Sequence, residues 1–99
     1  MDIIIRYPQI IQEKSKLEES LWTVLWKPIG LDKNVREKFK LIGSEINLIA
    51  VESGSIIGAL VANRISGDTF ELKHIAVLPE SQNQGIGKKL ISNLEEGIL

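Results

Sequence analysis

The chain contains no cysteine, so a disulfide, a thiolate metal site and a cysteine nucleophile are all excluded. It has a single histidine, His74, which rules out a multi-histidine metal centre within one chain, and no metal is expected. Charge of one sign is also lacking. The net charge of −1 argues against the basic footprint that general nucleic-acid binding favours. No apolar run approaches the roughly 20 residues of a transmembrane helix, so no membrane association is expected. The opening residues Asp2-Ile3-Ile4-Ile5-Arg6 lack the layout of a signal peptide, and the default reading is a cytoplasmic protein. There are no internal repeats and no low-complexity linkers. With 43% hydrophobic and 25% charged residues, the 99-residue chain reads as one small soluble domain covering 1–99.

What the chain does have is a pattern of short elements. Ile3 to Tyr7 is β-branched and stopped by Pro8, which predicts a strand. Ile10, Leu17, Leu21 and Val24 or Leu25 recur with helical spacing, with Glu13, Lys14, Lys16, Glu18 and Glu19 on the wet face. Lys27-Pro28-Ile29-Gly30 breaks that helix. Asp32 is a plausible N-cap for a second, shorter helix that carries Val35, Phe39 and Ile42 inward and ends at Gly43-Ser44. The second half reads as a meander. Strands are predicted over Ile46–Glu52, Ser55–Ile65 and Thr69–Leu78, with turns at Ser53-Gly54 and Ser66-Gly67-Asp68. From Asn83 on, Ile86, Leu90, Ile91 and Leu94 form a helical stripe. The order is β-α-α-β-β-β-α.

The last strand has an uneven pattern. Thr69, Glu71 and Lys73 alternate with Phe70 and Leu72, whereas Ile75 to Leu78 is apolar on both faces. Either the strand enters a more buried region, or a bulge near His74-Ile75 resets the phase and releases main-chain groups for a ligand.

Directly after that strand comes Gln82-Asn83-Gln84-Gly85-Ile86-Gly87-Lys88-Lys89. Glycines at a strand-to-helix turn let main-chain N–H groups approach a phosphate, and a helix N-terminus adds unpaired donors and partial positive charge. The segment therefore points to a pyrophosphate-bearing cofactor. A dinucleotide fingerprint needs glycine or alanine where Leu90 stands. A P-loop needs glycine at Gln82 and serine or threonine at Lys89.

The order of elements and Gln82-x-x-Gly85-x-Gly87 resemble the GCN5-related N-acetyltransferase (GNAT) family, whose acetyl-CoA loop reads Arg/Gln-x-x-Gly-x-Gly/Ala. The strand Ile75-Ala76-Val77 followed by Pro79-Glu80 is similar as well. The resemblance implies an α/β fold, with a mixed, mostly antiparallel sheet and helices on both faces. It implies acetyl transfer from acetyl-CoA to a primary amine by direct attack on the thioester. Main-chain groups around Gln84, Gly85, Ile86, Gly87 and Lys88 would cradle the pyrophosphate, and Gln82 would shape the loop and contact phosphate. Main-chain groups of Ile75 and Val77 would pair with the pantetheine arm. Asn83 and Lys89 are candidates for outer phosphate contacts, although Lys88 and Lys89 also suit the solvated face of a helix.

Glu71 is the candidate general base, on the strand where some family members carry a glutamate; the alternative is a solvated residue paired with Lys73. His74 reads more simply as a packed strand residue. Trp22 and Trp26, four apart, suit a core or interface face, or the border of the acceptor site. Family members continue beyond the position of Leu99 with further strands and a helix that often carries a tyrosine acid, and Tyr7 does not stand in its place. The implied alternative is a non-catalytic CoA-binding or self-assembling half-domain, a homo-oligomer (dimer) that completes its sheet with another copy.

Overall fold

The computed structural model describes residues 2–33, 44–66 and 69–97. Four strands, β1 (Ile3–Arg6), β2 (Ser44–Glu52), β3 (Ser55–Ser66) and β4 (Thr69–Val77), pair in the order β1-β2-β3-β4. Every pairing among them is antiparallel. Helix α1 (Ile11–Leu21) lies between β1 and β2 in the chain, and α2 (Ile86–Gly97) follows β4. The second helix expected after Asp32 lies outside the described residues from 34 on, as does the turn at 67–68.

Helix α1 starts one turn after Pro8. Glu13 in its first turn accepts a hydrogen bond from the Gln9 N–H at 2.8 Å, which ties the first turn to the segment leading into the helix. Its carboxylate also takes both terminal nitrogens of Arg6 on β1, with Arg6 Nη1 at 2.8 Å from Oε1. The paired guanidinium and the Gln9 N–H hold the Glu13 carboxyl down at a pKa of about 2. The helix widens into a π-helical turn over Trp22–Trp26 and then a 3-10 turn at Lys27–Ile29. The stop is made by Gly30 at φ 81°, with the Leu31 N–H returning to the Trp26 carbonyl at 3.1 Å. Helical spacing placed Val24 or Leu25 on the same stripe as Leu21, and both pack, half-buried, against the core. The wider π turn also brings Trp26 into the core, one of the places its spacing from Trp22 suited.

The sheet is covered on both faces. Leu17, Leu21 and Trp26 pack on Ile49, Val51, Ile56, Ala59, Val61 and Ala76. On the opposite face Ile86, Leu90 and Leu94 of α2 pack on Ile46, Leu48, Ala50, Ile57, Leu60 and Ala62. The expected two-sided cover of the long apolar strand is thus present: β3 is buried from Ile56 to Asn63. The hairpin between β2 and β3 turns through Ser53 at φ 50° and Gly54 at φ 80°, the pair of left-handed residues that a tight two-residue loop requires.

Candidate functional site

The β3–β4 ladder departs from regular pairing at two places: one is on β3 between Arg64 and Ser66, near the hairpin end, and the other is on β4. Val61 sits opposite His74 and Ala62 opposite Leu72, so Lys73 is an extra, bulged residue. The bulge resets the alternation, as one of the two sequence readings required. Beyond it His74 and Ala76 face α1, while Ile75 and Val77 face α2.

The bulge also fixes what the main chain presents. The Leu78 N–H donates to the Ile57 carbonyl on β3 at 2.9 Å. Residues two apart on a strand direct their main-chain groups to the same side, so Ala76 and His74 point at β3. Ile75 and Val77 then point the other way, toward the edge of the sheet. Among the described strands nothing pairs with that edge.

The loop after β4 is built to stay close to it. Pro79–Ser81 forms one 3-10 turn, with the Ser81 N–H on the Leu78 carbonyl at 2.8 Å and the Ser81 residue buried. Gln82 Nε2 then donates to the Val77 carbonyl at 2.9 Å. This bond ties the loop to the strand edge. Asn83 at φ 66° and Gly85 at φ 77° are both left-handed. Such turns gather successive N–H groups into an anion-binding concavity. At φ 77° a side chain at Gly85 is strained whatever the space around it.

Helix α2 begins at Ile86, three residues later than the stripe from Asn83 suggested, and the first return bond runs from the Lys89 N–H to the Gly85 carbonyl at 3.1 Å. The N–H groups of Ile86, Gly87 and Lys88 precede any intrahelical acceptor by helical geometry. They stand at the positive end of a twelve-residue helix. Ile86 is buried and anchors the turn, while Gln82, Asn83, Gln84, Gly85, Lys88 and Lys89 are exposed to solvent. A side chain at Gly87 would make only an ordinary contact, 3.8 Å from Ile75 Cδ1. Its main chain is correspondingly open to approach. The cradle expected at 84–88 and the edge groups of Ile75 and Val77 are thus brought to one end of β4.

The remaining candidates lie on the α1 face. Glu71 is exposed, opposite Asn63, with its carboxylate 2.8 Å from Lys73 Nζ. His74 is half-buried and meets the Trp26 ring edge-on, with centroids 5.1 Å apart. Trp26 is core, whereas Trp22 sits at the rim, where its Nε1 donates to the Leu31 carbonyl at 2.8 Å. Lys27 and Lys33 place ammonium groups 5.4 and 5.0 Å from the Trp22 ring centroid. Two polar atoms buried on this side, Ser20 Oγ and Asn63 Oδ1, have no hydrogen-bond partner among the described residues. Neither was signalled by residue pattern, since Ser20 sits on a mostly polar helix and Asn63 in an apolar strand. Among the described residues no group of acidic or histidine side chains is arranged to hold a metal ion. No described helix is long and apolar enough to cross a membrane.

The model of the acetyltransferase (GNAT) family matches residues 11–97. No curated protein matches the chain. Among solved structures, the PaiA N-acetyltransferase of Thermoplasma acidophilum in complex with coenzyme A superposes with a TM-score of 0.74 at 23% identity, over 99% of this chain and 72% of that one. A GNAT family acetyltransferase of Elizabethkingia anophelis with acetyl-CoA bound gives 0.61 at 25% identity, over 93% of this chain and 54% of that one. A third, from Brucella melitensis in complex with acetyl-CoA, gives 0.70 at 21% identity, over 98% and 68%. The chain therefore spans between about half and three quarters of the length of these structures.

Proposed function

The chain belongs to the acetyltransferase (GNAT) family, and from that premise we propose that it binds acetyl-CoA and transfers the acetyl group to a primary amine. The observation that carries this reading is the loop at the end of β4. Gln82 ties it to the strand edge, Asn83 and Gly85 turn it, and the N–H groups of residues 86–88 open it to an anion. In this reading the cradle and Gln82 hold the diphosphate, with Asn83 and Lys89 at its outer side. The edge N–H and C=O of Ile75 and the N–H of Val77 receive the pantetheine arm as an added strand, while the Val77 carbonyl stays with Gln82.

Acetyl-CoA supplies the activated acyl group as a thioester. This chain's residues position it, polarise its carbonyl through strand N–H groups and receive the proton of the amine. Glu71 is the proposed proton acceptor. Its exposure and its pairing with Lys73 favour a route through water rather than direct contact. The acceptor approaches on the α1 face, which carries the buried Ser20 Oγ and Asn63 Oδ1 as well as the Trp26–His74 pair. Titration of the chain with acetyl-CoA, followed by release of free CoA with a panel of amines, tests the reading. Replacing Gly85 by valine should abolish detectable coenzyme binding in a chain that still folds, and unchanged affinity in that variant sinks the proposed loop.

The edge of β4 supports a second reading, in which a further strand from another copy of the chain pairs there and the unit binds CoA without turnover. Binding without CoA release from any amine, together with a dimeric mass in solution, is its signature.

A further inference from the structure

The N–H groups that would cradle the diphosphate hang from the first turn of α2, so their position depends on what holds that turn above the sheet. Directly beneath it lies Gly58 on β3. A Cβ built at Gly58 would stand 3.3 Å from Ile86 Cγ2, 3.4 Å from Leu90 Cδ1 and 3.3 Å from the Ala76 carbonyl oxygen. The first two atoms belong to the first and second turns of α2, and the third to the backbone of β4. The space is closed from both sides, and the carbonyl cannot move without disturbing the β3–β4 ladder.

Strand β3 reaches this arrangement through an irregularity of its own. Ala50 pairs with Gly58 and Val51 with Ile56, which makes Ile57 an extra residue. The bulge turns Ile57 and Gly58 to the same face, the one that α2 covers. Ile57 packs on the cluster beneath α2, while Gly58 leaves room for the helix start to come down onto the sheet. At Gly58 the backbone φ lies outside the left-handed range, so glycine is required there by proximity rather than by turn geometry.

We propose that Gly58 is a positioning residue for the coenzyme site. Its missing side chain sets the height of the α2 N-terminus over β4, and so the offset between the N–H groups of residues 86–88 and the edge groups of Ile75 and Val77. A methyl group at 58 acts as a wedge. It pushes the first turn of α2 outward and separates two parts of one ligand's binding surface, which the ligand spans at fixed covalent distance. This inference rests on the acetyl-CoA reading above and goes beyond it, because Gly58 lies outside the glycine motif and touches no ligand.

The test compares Gly58→Ala with the parent chain by calorimetric titration, using CoA and S-acetylpantetheine as separate probes. The wedge is expected to weaken CoA by about tenfold and to leave the diphosphate-free probe within about twofold, because only CoA needs both surfaces in register. Leu21→Ala serves as the control for general loss of stability, since Leu21 is fully buried on the other face. It should keep CoA affinity at temperatures where it is folded. Adding Ile86→Leu to Gly58→Ala removes the Cγ2 methyl that the wedge strikes, and should restore most of the lost CoA affinity. If Gly58→Ala alone does not fold, the double variant is read directly against the parent, and CoA affinity within about threefold is then the expected result. Equal loss of both probes, equal loss in Leu21→Ala, unchanged CoA affinity in Gly58→Ala, or no recovery in the double variant overturns the inference. A parent chain that fails to bind CoA at all overturns the coenzyme reading itself, and the role of Gly58 with it.

Discussion

On one face of the sheet, Leu17, Leu21 and Trp26 share their layer with Ser20, Asn63 and His74; on the other, Ile86, Leu90 and Leu94 cover a cluster that is aliphatic throughout its described buried residues. Among the described residues each face carries one α-helix, and the two helices are secured differently. Helix α1 is clasped at its start by the Arg6–Glu13 pair and further along by Lys14, which reaches Glu45 on β2 at 3.2 Å. Helix α2 is held by aliphatic contact along its length and enters from a loop tied to β4 by Gln82. The difference separates two tasks. A site made of main-chain N–H groups needs a backbone that does not move, and close apolar packing supplies that without competing hydrogen bonds. In the proposed function, a surface that discriminates among amines needs side chains, and Ser20, Asn63 and His74 supply polar ones on the α1 face.

The contrast breaks most visibly through matched core truncations. Leu21 and Leu90 are both fully buried, one on each face. Either change to alanine should cost about 2–5 kcal/mol of folding stability. In a domain of this size that lowers the midpoint of thermal unfolding by about 4–8 °C for each kcal/mol. The two variants should then part company below their midpoints. Leu90→Ala loosens the turn that bears the N–H cradle and should weaken CoA severalfold in calorimetry. Leu21→Ala should leave CoA within about twofold of the parent, since α1 contributes nothing to the cradle. Equal effects on CoA would mean that the two faces are not functionally distinct.

A smaller effect, on turnover rather than stability, is expected from the other face. With amine and acetyl-CoA saturating, Glu71→Gln should lower kcat by about a hundredfold and leave CoA affinity unchanged, which is the signature of a proton acceptor lying off the cradle. A rate within twofold of the parent would return Glu71 to the solvated strand face, where its pairing with Lys73 already places it.

Most of the α2 face was legible in the sequence, because the signals there are local. The stripe of Ile86, Leu90 and Leu94, the two glycines and the preceding apolar strand each occupy a few consecutive residues, and all three agree. The α1 face was less so. The π turn at Trp22–Trp26 leaves no mark in a periodicity argument, and it separates two residues that fourfold spacing put on one face: Trp26 is core, while Trp22 is only half-buried. The bulges fall between these cases. Uneven alternation around His74 allowed one, and the structure puts its extra residue at Lys73, whereas the bulge at Ile57 hides inside a run that is apolar on both sides. Gly58 in that run was the available signal, since a glycine within a strand pattern marks a bulge or a close backbone approach. Both are found there. The bond from Gln82 to Val77 was out of reach, because it depends on how far the loop folds back.

The smallest expected effect sharpens the account of how α1 is held. The Glu13 carboxyl titrates near 4.5 in the unfolded chain and at about 2 beside Arg6. A folded-state value below the unfolded one means that the unfolded chain takes up its proton first as pH falls. The Arg6–Glu13 pair therefore contributes its full stabilisation above about pH 4.5 and loses it progressively on the way down to about pH 2. Both side chains lie half-buried at the surface and keep contact with solvent, so the contribution is modest and screened by salt. Urea unfolding of the parent and of Glu13→Gln across this window should show a stability gap that is flat near neutrality and closes between about pH 4.5 and 2. Raising the salt concentration at neutral pH should narrow the same gap. CoA affinity at neutral pH should be the same in both proteins, because the clasp acts on α1 and the cradle on α2. A gap that persists at pH 2 would show that Glu13 acts through packing of its stem, and a change in CoA affinity would join the two faces that the rest of the molecule keeps apart.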